Sequence, residues 1–258
     1  AAIVDGLKYA MRISGAANGV IAIEENKPDA IEAMIKAVAN TPFIVQPLMV
    51  KYPQGGEKQL IQAVTGRQVP SGKLPMDAGC IVMNVSTAAA LSDAISTGRP
   101  IVERIITITG DVPSPANLRA RIGVTFGELI EQCGGVPDDT IKIVSGGPMM
   151  GQAISRLDVP IVKATGGILL INRAHASNIP ESACIRCGRC VKACPIHLMP
   201  LRLNELVMHD RFEQAEAMHT LDCIECGSCS YVCPAKRELA LSIRMGKREI
   251  QKRRKPRK

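Results

Sequence analysis

The first hundred residues alternate between helix-spaced and strand-like runs of apolar side chains. Residues Ile3 to Ser14 place apolar groups on one helical face, interrupted by Asp5, Lys8 and Arg12, and end at Gly15. Val20–Ile23 predicts a strand. Asn26 and Pro28 predict the start of a helix running through Ala39, with Ile31, Met34, Ile35 and Val38 on one face. Phe43–Val45 and Cys80–Val85 predict two more strands, with a helix opening at Glu57 between them. Ser86 and Thr87 then predict a cap for a helix to about Ser96. Alternation of this kind predicts an α/β layer with a partly parallel sheet over residues 1–100.

From 101 to 165 the pattern becomes richer in strands. Arg104–Thr109 alternates as a strand, and Ile141–Val144 predicts another. Thr125 and Glu128 form a capping box for one helix to Cys133, closed by Gly134 and Gly135. A small β-grasp-like domain with one helix fits this order. Residues 166–183 read as a linker. Past residue 200 the spacing turns helical. Leu203, Leu206, Val207 and Phe212 predict two short helices broken near His209 and Asp210, and Ala235–Ile250 predicts another.

The cysteines change the picture. Ten occur, and Cys80 and Cys133 read as isolated small hydrophobes. The other eight form an internal repeat. CIRCGRCVKACP holds Cys184, Cys187, Cys190 and Cys194; CIECGSCSYVCP holds Cys223, Cys226, Cys229 and Cys233. Each ends in Pro. A disulfide framework fits poorly, because cysteines two residues apart pair badly. Structural zinc uses pairs of Cys-x-x-Cys arms and asks for neither a third cysteine nor the Pro. The C-x₂-C-x₂-C-x₃-C-P run is the ligand pattern of bacterial two-cluster ferredoxins, in which the fourth cysteine serves the other cluster. The expected ligands of a first [4Fe–4S] cluster are therefore Cys184, Cys187, Cys190 and Cys233, and those of a second are Cys223, Cys226, Cys229 and Cys194. Gly188 and Gly227 are expected to let each loop turn closely round its cluster. With eight thiolates sufficient, His197, His209 and His219 read as surface or packing residues.

Composition narrows the partners. Aromatic residues make up 2% and Trp is lacking, so stacking platforms for nucleic acid are not expected. The net charge of +8 is concentrated at residues 247–258, a basic tail with eight Lys or Arg against one Glu. This tail reads as a solvated end, or as a contact with anionic lipid or an acidic partner. No run of 18 apolar residues predicts a transmembrane helix. Gly55 and Gly56 before the helix at Glu57 are weak candidates for phosphate contact, and neither a complete G-x-G-x-x-G nor a Walker sequence occurs.

KYPQGGEKQLI, CIVMNV, ITGDV, SGGPMMG and CIRCGRCVKACP together resemble the C subunit of the Rnf (Rsx) electron-transport complexes. The resemblance covers essentially the whole chain. It implies a partial flavin-domain-like α/β layer, a β-grasp and an α-helical ferredoxin module at 184–246. It further implies a peripheral protein on the cytoplasmic face of the inner membrane. Its partners would be the other subunits of the complex, with ferredoxin or NADH reached indirectly, in a complex that couples their electron exchange to ion movement. The first domain also resembles the flavin subunit of respiratory complex I, which makes Gly56, Glu57, Asn84 and Thr87 candidate FMN contacts. Lys58 stands where that family has a second Glu. The family's glycine-rich FMN loop has no counterpart here. The expectation is that the full-length protein binds FMN, and that this stretch keeps both clusters but binds FMN and NADH poorly. The alternatives are a cluster-bearing adaptor without NADH chemistry, or a soluble iron–sulfur flavin oxidoreductase.

Overall fold

The computed structural model describes residues 1–176 and 179–254. They form two compact units, Ala1–Ile101 and Val102–Lys258.

The first unit runs α1 (Ala2–Ser14), β1 (Val20–Glu24), α2 (Pro28–Val38), β2 (Ile44–Leu48), α3 (Glu57–Thr65) and α4 (Val85–Thr97). Strands β1 and β2 pair in parallel, Val20 beside Ile44 and Glu24 beside Leu48. Val4, Ile21, Val38 and Phe43 form the buried core, joined by Leu7, Met11 and Met34. The helix of α2 starts on Lys27, not Asn26, with Pro28 in the first turn and no side-chain cap. Residues 80–84 are not a strand. They carry β-branched side chains, but among the described residues no neighbouring strand pairs with them, and the Cys80 N–H turns back to the Pro75 carbonyl at 3.1 Å. The cap of α4 is Asn84, whose Oδ1 accepts the Ser86 N–H at 2.9 Å. An Asn in extended backbone satisfies one of the donors a helix start leaves open.

Helices α1 and α4 meet at Gly6. A Cβ there would stand 1.8 Å from the Ala88 carbonyl oxygen, so this backbone approach admits only glycine. Gly6→Ala is expected to destabilise this unit by about 2 kcal/mol through overpacking. Thermal melting followed by far-UV circular dichroism checks this, and an unchanged midpoint would contradict the close approach.

The second unit opens with a five-stranded sheet. Its strands are β3 (Glu103–Gly110), β4 (Ala116–Arg121), β5 (Thr140–Ser145), β6 (Gln152–Ile154) and β7 (Gly167–Asn172), in the order β4-β3-β7-β5-β6. One helix, α5 (Phe126–Glu131), covers it behind the expected Thr125–Glu128 capping box. The linker expectation for 166–183 fails over 167–172. That stretch is the middle strand, parallel to β3 and antiparallel to β5, with Ile168 and Leu170 fully buried among Ile106, Ile108, Phe126 and Ile130. Ser177 and Asn178, also within the expected linker, lie outside the described residues.

Past β7, the Asp111 carboxylate closes the chain's exit from the sheet. It accepts the Asn172 N–H at 2.7 Å and faces the His175 ring nitrogen at 2.7 Å. The backbone bond from Asn172, helped by His175 and opposed by burial, holds Asp111 below its ordinary 3.8. A depressed carboxylate contributes stability that is complete above about pH 4 and disappears as pH falls through the folded-state value. Melting temperature measured from pH 6 to pH 2 should fall less steeply in Asp111→Asn than in the unsubstituted protein. Equal slopes would assign the acid sensitivity elsewhere.

The rest of the second unit is helical. It comprises α6 (Arg189–Lys192), α7 (Pro200–Met208), α8 (Phe212–Ala217), α9 (Ser228–Tyr231) and α10 (Leu239–Arg254). The expected break at His209–Asp210 occurs, with Asp210 at φ 55°. Helix α10 starts four residues later than expected, after Lys236 at φ 52°, and then continues through Arg254. Residues 247–254 are therefore not a solvated tail. Ile250 is 1% exposed against Leu206, Phe212 and Ala215, Arg253 stacks 4.4 Å from the Phe212 ring, and Arg254 pairs with Glu216. Their charged heads stay at the surface while the apolar stems and Ile250 hold the helix down. Residues 255–258 of the expected tail lie outside the described residues.

Candidate functional site

The two cysteine motifs fold alike. In each, the second of the two residues between the first two cysteines takes a left-handed conformation, Arg186 at φ 54° and Glu225 at φ 57°. Its backbone N–H turns inward onto the first cysteine's sulfur, 3.4 Å to Cys184 Sγ in one motif and 3.4 Å to Cys223 Sγ in the other. Gly188 (φ 73°) and Gly227 (φ 81°) then start the one-turn helices α6 and α9. Gly227 is doubly constrained, since a Cβ would also stand 2.8 Å from the Met149 carbonyl of the Gly146–Gly151 loop. Successive inward N–H groups make a concave cradle for negative charge. After each fourth cysteine the chain turns again at a left-handed residue, His197 and Lys236.

This folding-back gathers the cysteines across the repeat. One cavity of about 280 Å³ is lined by Cys184, Cys187 and Cys190 from the first motif and Cys233 from the second. A narrower, more enclosed one is lined by Cys223, Cys226 and Cys229 from the second motif and Cys194 from the first. Cys184 and Cys187 are exposed, whereas Cys190, Cys226, Cys229 and Cys233 are buried. The Leu198 N–H points at Cys194 Sγ from 3.3 Å. Burial, then the neighbouring Cys223, pushes the Cys229 thiol up to about 12; burial likewise raises Cys190 and Cys223. Thiols held so close repel one another as anions, so metal must displace protons to bind.

The donor set discriminates between metals. Among the described residues no three His, Cys, Asp or Glu side chains are grouped to hold a single metal ion. Four thiols spread round a cavity suit a multi-iron cluster with one sulfur per iron, not a lone tetrahedral zinc. His197, His209 and His219 are exposed, as expected, although His209 reaches the rim of the first cavity. Cys133 is buried in the sheet's core and Cys80 is half-buried.

Beyond the cysteines, the second site carries an ion-pair group that the spacing gave no hint of. Glu225 meets Arg244 at 2.7 Å and Lys247 at 2.9 Å, and Lys247 also donates to the Cys223 carbonyl at 2.6 Å. Burial would raise the Glu225 carboxyl, but Lys247 and Arg244 outweigh it and hold it low. The group ties α10 to the loop of the second motif. On the first site, Arg237 bridges Glu181 at 3.0 Å and Asn204 at 3.1 Å, and Asn204 donates to Ser242 at 2.7 Å.

The flavin candidates lie in the first unit. Gly56 is the residue before α3 and Glu57 its first, while Asn84 caps α4 and Thr87 sits in its first turn. None of the four lines the cavity that their chain neighbours border. Gly55 and Val85 border a mostly apolar cavity of about 500 Å³ with Ile21, Met34, Leu48 and Gln54. Gln54 is 5% exposed and its Oε1 lacks a hydrogen-bond partner.

Comparison with known proteins agrees with this layout. Residues 1–93 match the Nuo51 FMN-binding domain family, 105–153 the SLBB domain family and 183–237 the 4Fe-4S dicluster domain family. The last match makes the helical segment a carrier of two [4Fe–4S] clusters. The chain is 50% identical over 250 residues to the C subunit of the Na(+)-translocating ferredoxin:NAD(+) oxidoreductase complex of Acetobacterium woodii, covering 96% of this chain and 56% of that protein. It is 49% identical over 249 residues to the proton-translocating counterpart of Clostridium ljungdahlii, covering 96% and 54%. The chain belongs to the C-subunit family of ion-translocating oxidoreductase complexes. It spans about half the length of these curated relatives. Within the family the likeness extends to the C subunit of an ion-translocating oxidoreductase complex of Vibrio cholerae, 38% identical over 223 residues, 85% of this chain and 29% of that protein. A chain of an NAD+-reducing [NiFe]-hydrogenase shares the fold, with a TM-score of 0.56 at 16% identity, covering 96% of this chain and 49% of that one. No described helix is long and apolar enough to cross a membrane.

Proposed function

We propose that this chain relays single electrons through two [4Fe–4S] clusters within a membrane-associated complex that couples electron flow between NADH and ferredoxin to ion translocation. Cys184, Cys187, Cys190 and Cys233 hold the first cluster, and Cys223, Cys226, Cys229 and Cys194 the second. The observation that carries this reading is the exchange of the fourth cysteine, which leaves four thiols round each cavity. A cubane cluster bound by four thiolates supplies a one-electron redox centre with no iron left open to substrate.

The protein's own residues keep that centre in place. The inward N–H groups of Arg186 and Glu225 face the first sulfur of each loop, where they stabilise thiolate charge. Leu198, Leu203 and Ile243 pack beside Cys194 and Cys223 and exclude water from the second site. Because each motif lends a sulfur to the other, neither loop can move without loosening both sites.

In the first unit, Gly56, Glu57, Asn84 and Thr87 are the proposed flavin contacts. The apolar cavity bordered by Gly55 and Val85, and the buried Gln54 acceptor without a donor, fit a flat ring that carries N–H groups. FMN held there would supply the change from two-electron to one-electron transfer. The proposed place is peripheral, on the cytoplasmic face and against other members of the complex; relatives that are subunits of ion-translocating complexes, and described helices too short or too polar to cross a membrane, support the peripheral part.

Anaerobic reconstitution tests this function. Iron analysis should find about eight irons per chain, with electron paramagnetic resonance of coupled reduced clusters. A protein that takes up zinc and stays silent would refute it.

A further inference from the structure

Cys233 lines the first cavity and also borders an open groove of about 670 Å³ on the surface. Arg189, Lys192, Tyr231, Pro234 and Lys236 border that groove, and among the described residues no acidic one does. Arg189 and Lys192 are exposed on α6, and Tyr231 is 74% exposed. Among the described residues no carboxylate pairs with Arg189, Lys192 or Lys236, although the same module pairs Arg202, Arg237, Arg244, Lys247, Arg253 and Arg254.

The 39-residue repeat supplies an internal control. Where the first motif has Arg186, Arg189 and Lys192, the second has Glu225, Ser228 and Tyr231. Glu225 is neutralised by Arg244 and Lys247, and Ser228 is buried. Unpaired positive charge therefore gathers on the side of the first site, and that is also the site with two exposed cysteines. A shielded redox centre suits internal relay, whereas an exposed one under a charged rim suits exchange with something that arrives from solution.

We propose that this groove docks the acidic face of a one-electron redox protein, which exchanges its electron with the first cluster past Cys233. The proposal rests on the cluster assignment above. One electron leaves the reduced carrier and reduces the cluster, or the reverse; no bond forms or breaks and no proton is required. Open, unpaired cations steer an acidic partner and raise its encounter rate while being screened by salt. Cys233 joins the groove to the first cavity, and cations set beside a cluster ligand suit a redox partner better than a lipid surface, which exchanges no electron.

The test uses the full chain with both clusters loaded and an acidic flavodoxin, photoreduced to its one-electron donor form, as probe. The second-order rate in stopped flow should fall about tenfold between about 20 and 200 mM salt. Combined Arg189→Glu and Lys192→Glu should lower it about tenfold at low salt, while Lys252→Glu on the exposed end of α10 leaves it unchanged. Reduction by neutral photoreduced deazaflavin should be the same in all three proteins. Wild-type protein without iron in the first site would overturn the cluster assignment and the groove with it. Full iron with salt-independent rates, or an R189E/K192E protein as fast as wild type, would overturn the groove alone. So would a variant that loses binding to phosphatidylserine vesicles yet keeps its electron-transfer rate, since the groove would then be a lipid contact.

Discussion

Replacing Cys233 by serine should lower the iron content of the reconstituted protein from about eight to about four. The site that empties is the first, although Cys233 belongs to the second motif. Its sulfur lines the cavity shared with Cys184, Cys187 and Cys190, whereas the cavity of Cys223, Cys226 and Cys229 takes its fourth thiol from Cys194. A serine hydroxyl at Cys233 leaves one iron without a thiolate, and a cubane held by three sulfurs and exposed at Cys184 and Cys187 is open to oxidant and chelator. Cys194→Ser should show the converse, losing the enclosed cluster and keeping the exposed one. The surviving clusters are told apart by how fast an iron chelator bleaches them. The exposed one should bleach faster, and identical rates in the two variants would contradict the assignment.

Stripping both clusters from the intact protein should unfold the helical part of the second unit and leave its sheet folded. Cys190, Cys229 and Cys233 form one small core with Ala235 and Leu239, and Cys194 and Cys223 flank another built on Leu198, Leu203 and Ile243. Without a metal to bind them, those cores keep only a few apolar side chains each, and the third, Leu206, Val207, Phe212, Ala215 and Ile250, is too small to hold five helices by itself. The sheet is different: Ile106, Ile108, Phe126, Leu129, Ile168 and Leu170 form an aliphatic and aromatic core that owes nothing to metal. Metal binding of this kind is folding free energy, because the site does not exist in the unfolded chain. Circular dichroism should lose a large share of its helical signal on chelation. Hydrogen exchange should show amides of β3, β5 and β7 still protected. Unfolding of sheet and helices together, or of neither, would contradict this division.

Much of this was legible in the residues, for identifiable reasons. The Cys-x-x-Cys-x-x-Cys spacing and its repetition 39 residues later are local and redundant, so the two loops and their tight turns at Gly188 and Gly227 could be read directly, whereas the left-handed Arg186, Glu225, His197 and Lys236 could not. The capping box at Thr125 and Glu128 was readable because its two hydrogen bonds lie within one turn. Strand β7 was missed because Gly166 and Gly167 look like a break and because its partners, β3 and β5, are remote in sequence. The uninterrupted run Ile168–Ile171 was the available signal, since a strand flanked on both sides, with one face buried and the other half-buried, has little reason to alternate in sequence. Residues 80–84 failed in the opposite way: strand-forming side chains stayed unpaired because Asn84 committed the chain to a helix. The end of α10 was hidden by its charges. Leu239, Ile243, Gly246 and Ile250 repeat at helical spacing beneath them, and all four are buried. The Glu225, Arg244 and Lys247 group had no sequence signature, since it depends on how α10 lies against a loop about 20 residues earlier.

The exchange of sulfurs between the two motifs can be measured with two double variants. Cys184→Ser with Cys233→Ser should retain about four irons, the same as either single change, because both residues serve one cluster. Cys223→Ser with Cys233→Ser should retain almost none, because the two serve different clusters. The reverse result, four irons kept when Cys223 and Cys233 are changed together and none when Cys184 and Cys233 are, would mean that each motif binds its own cluster.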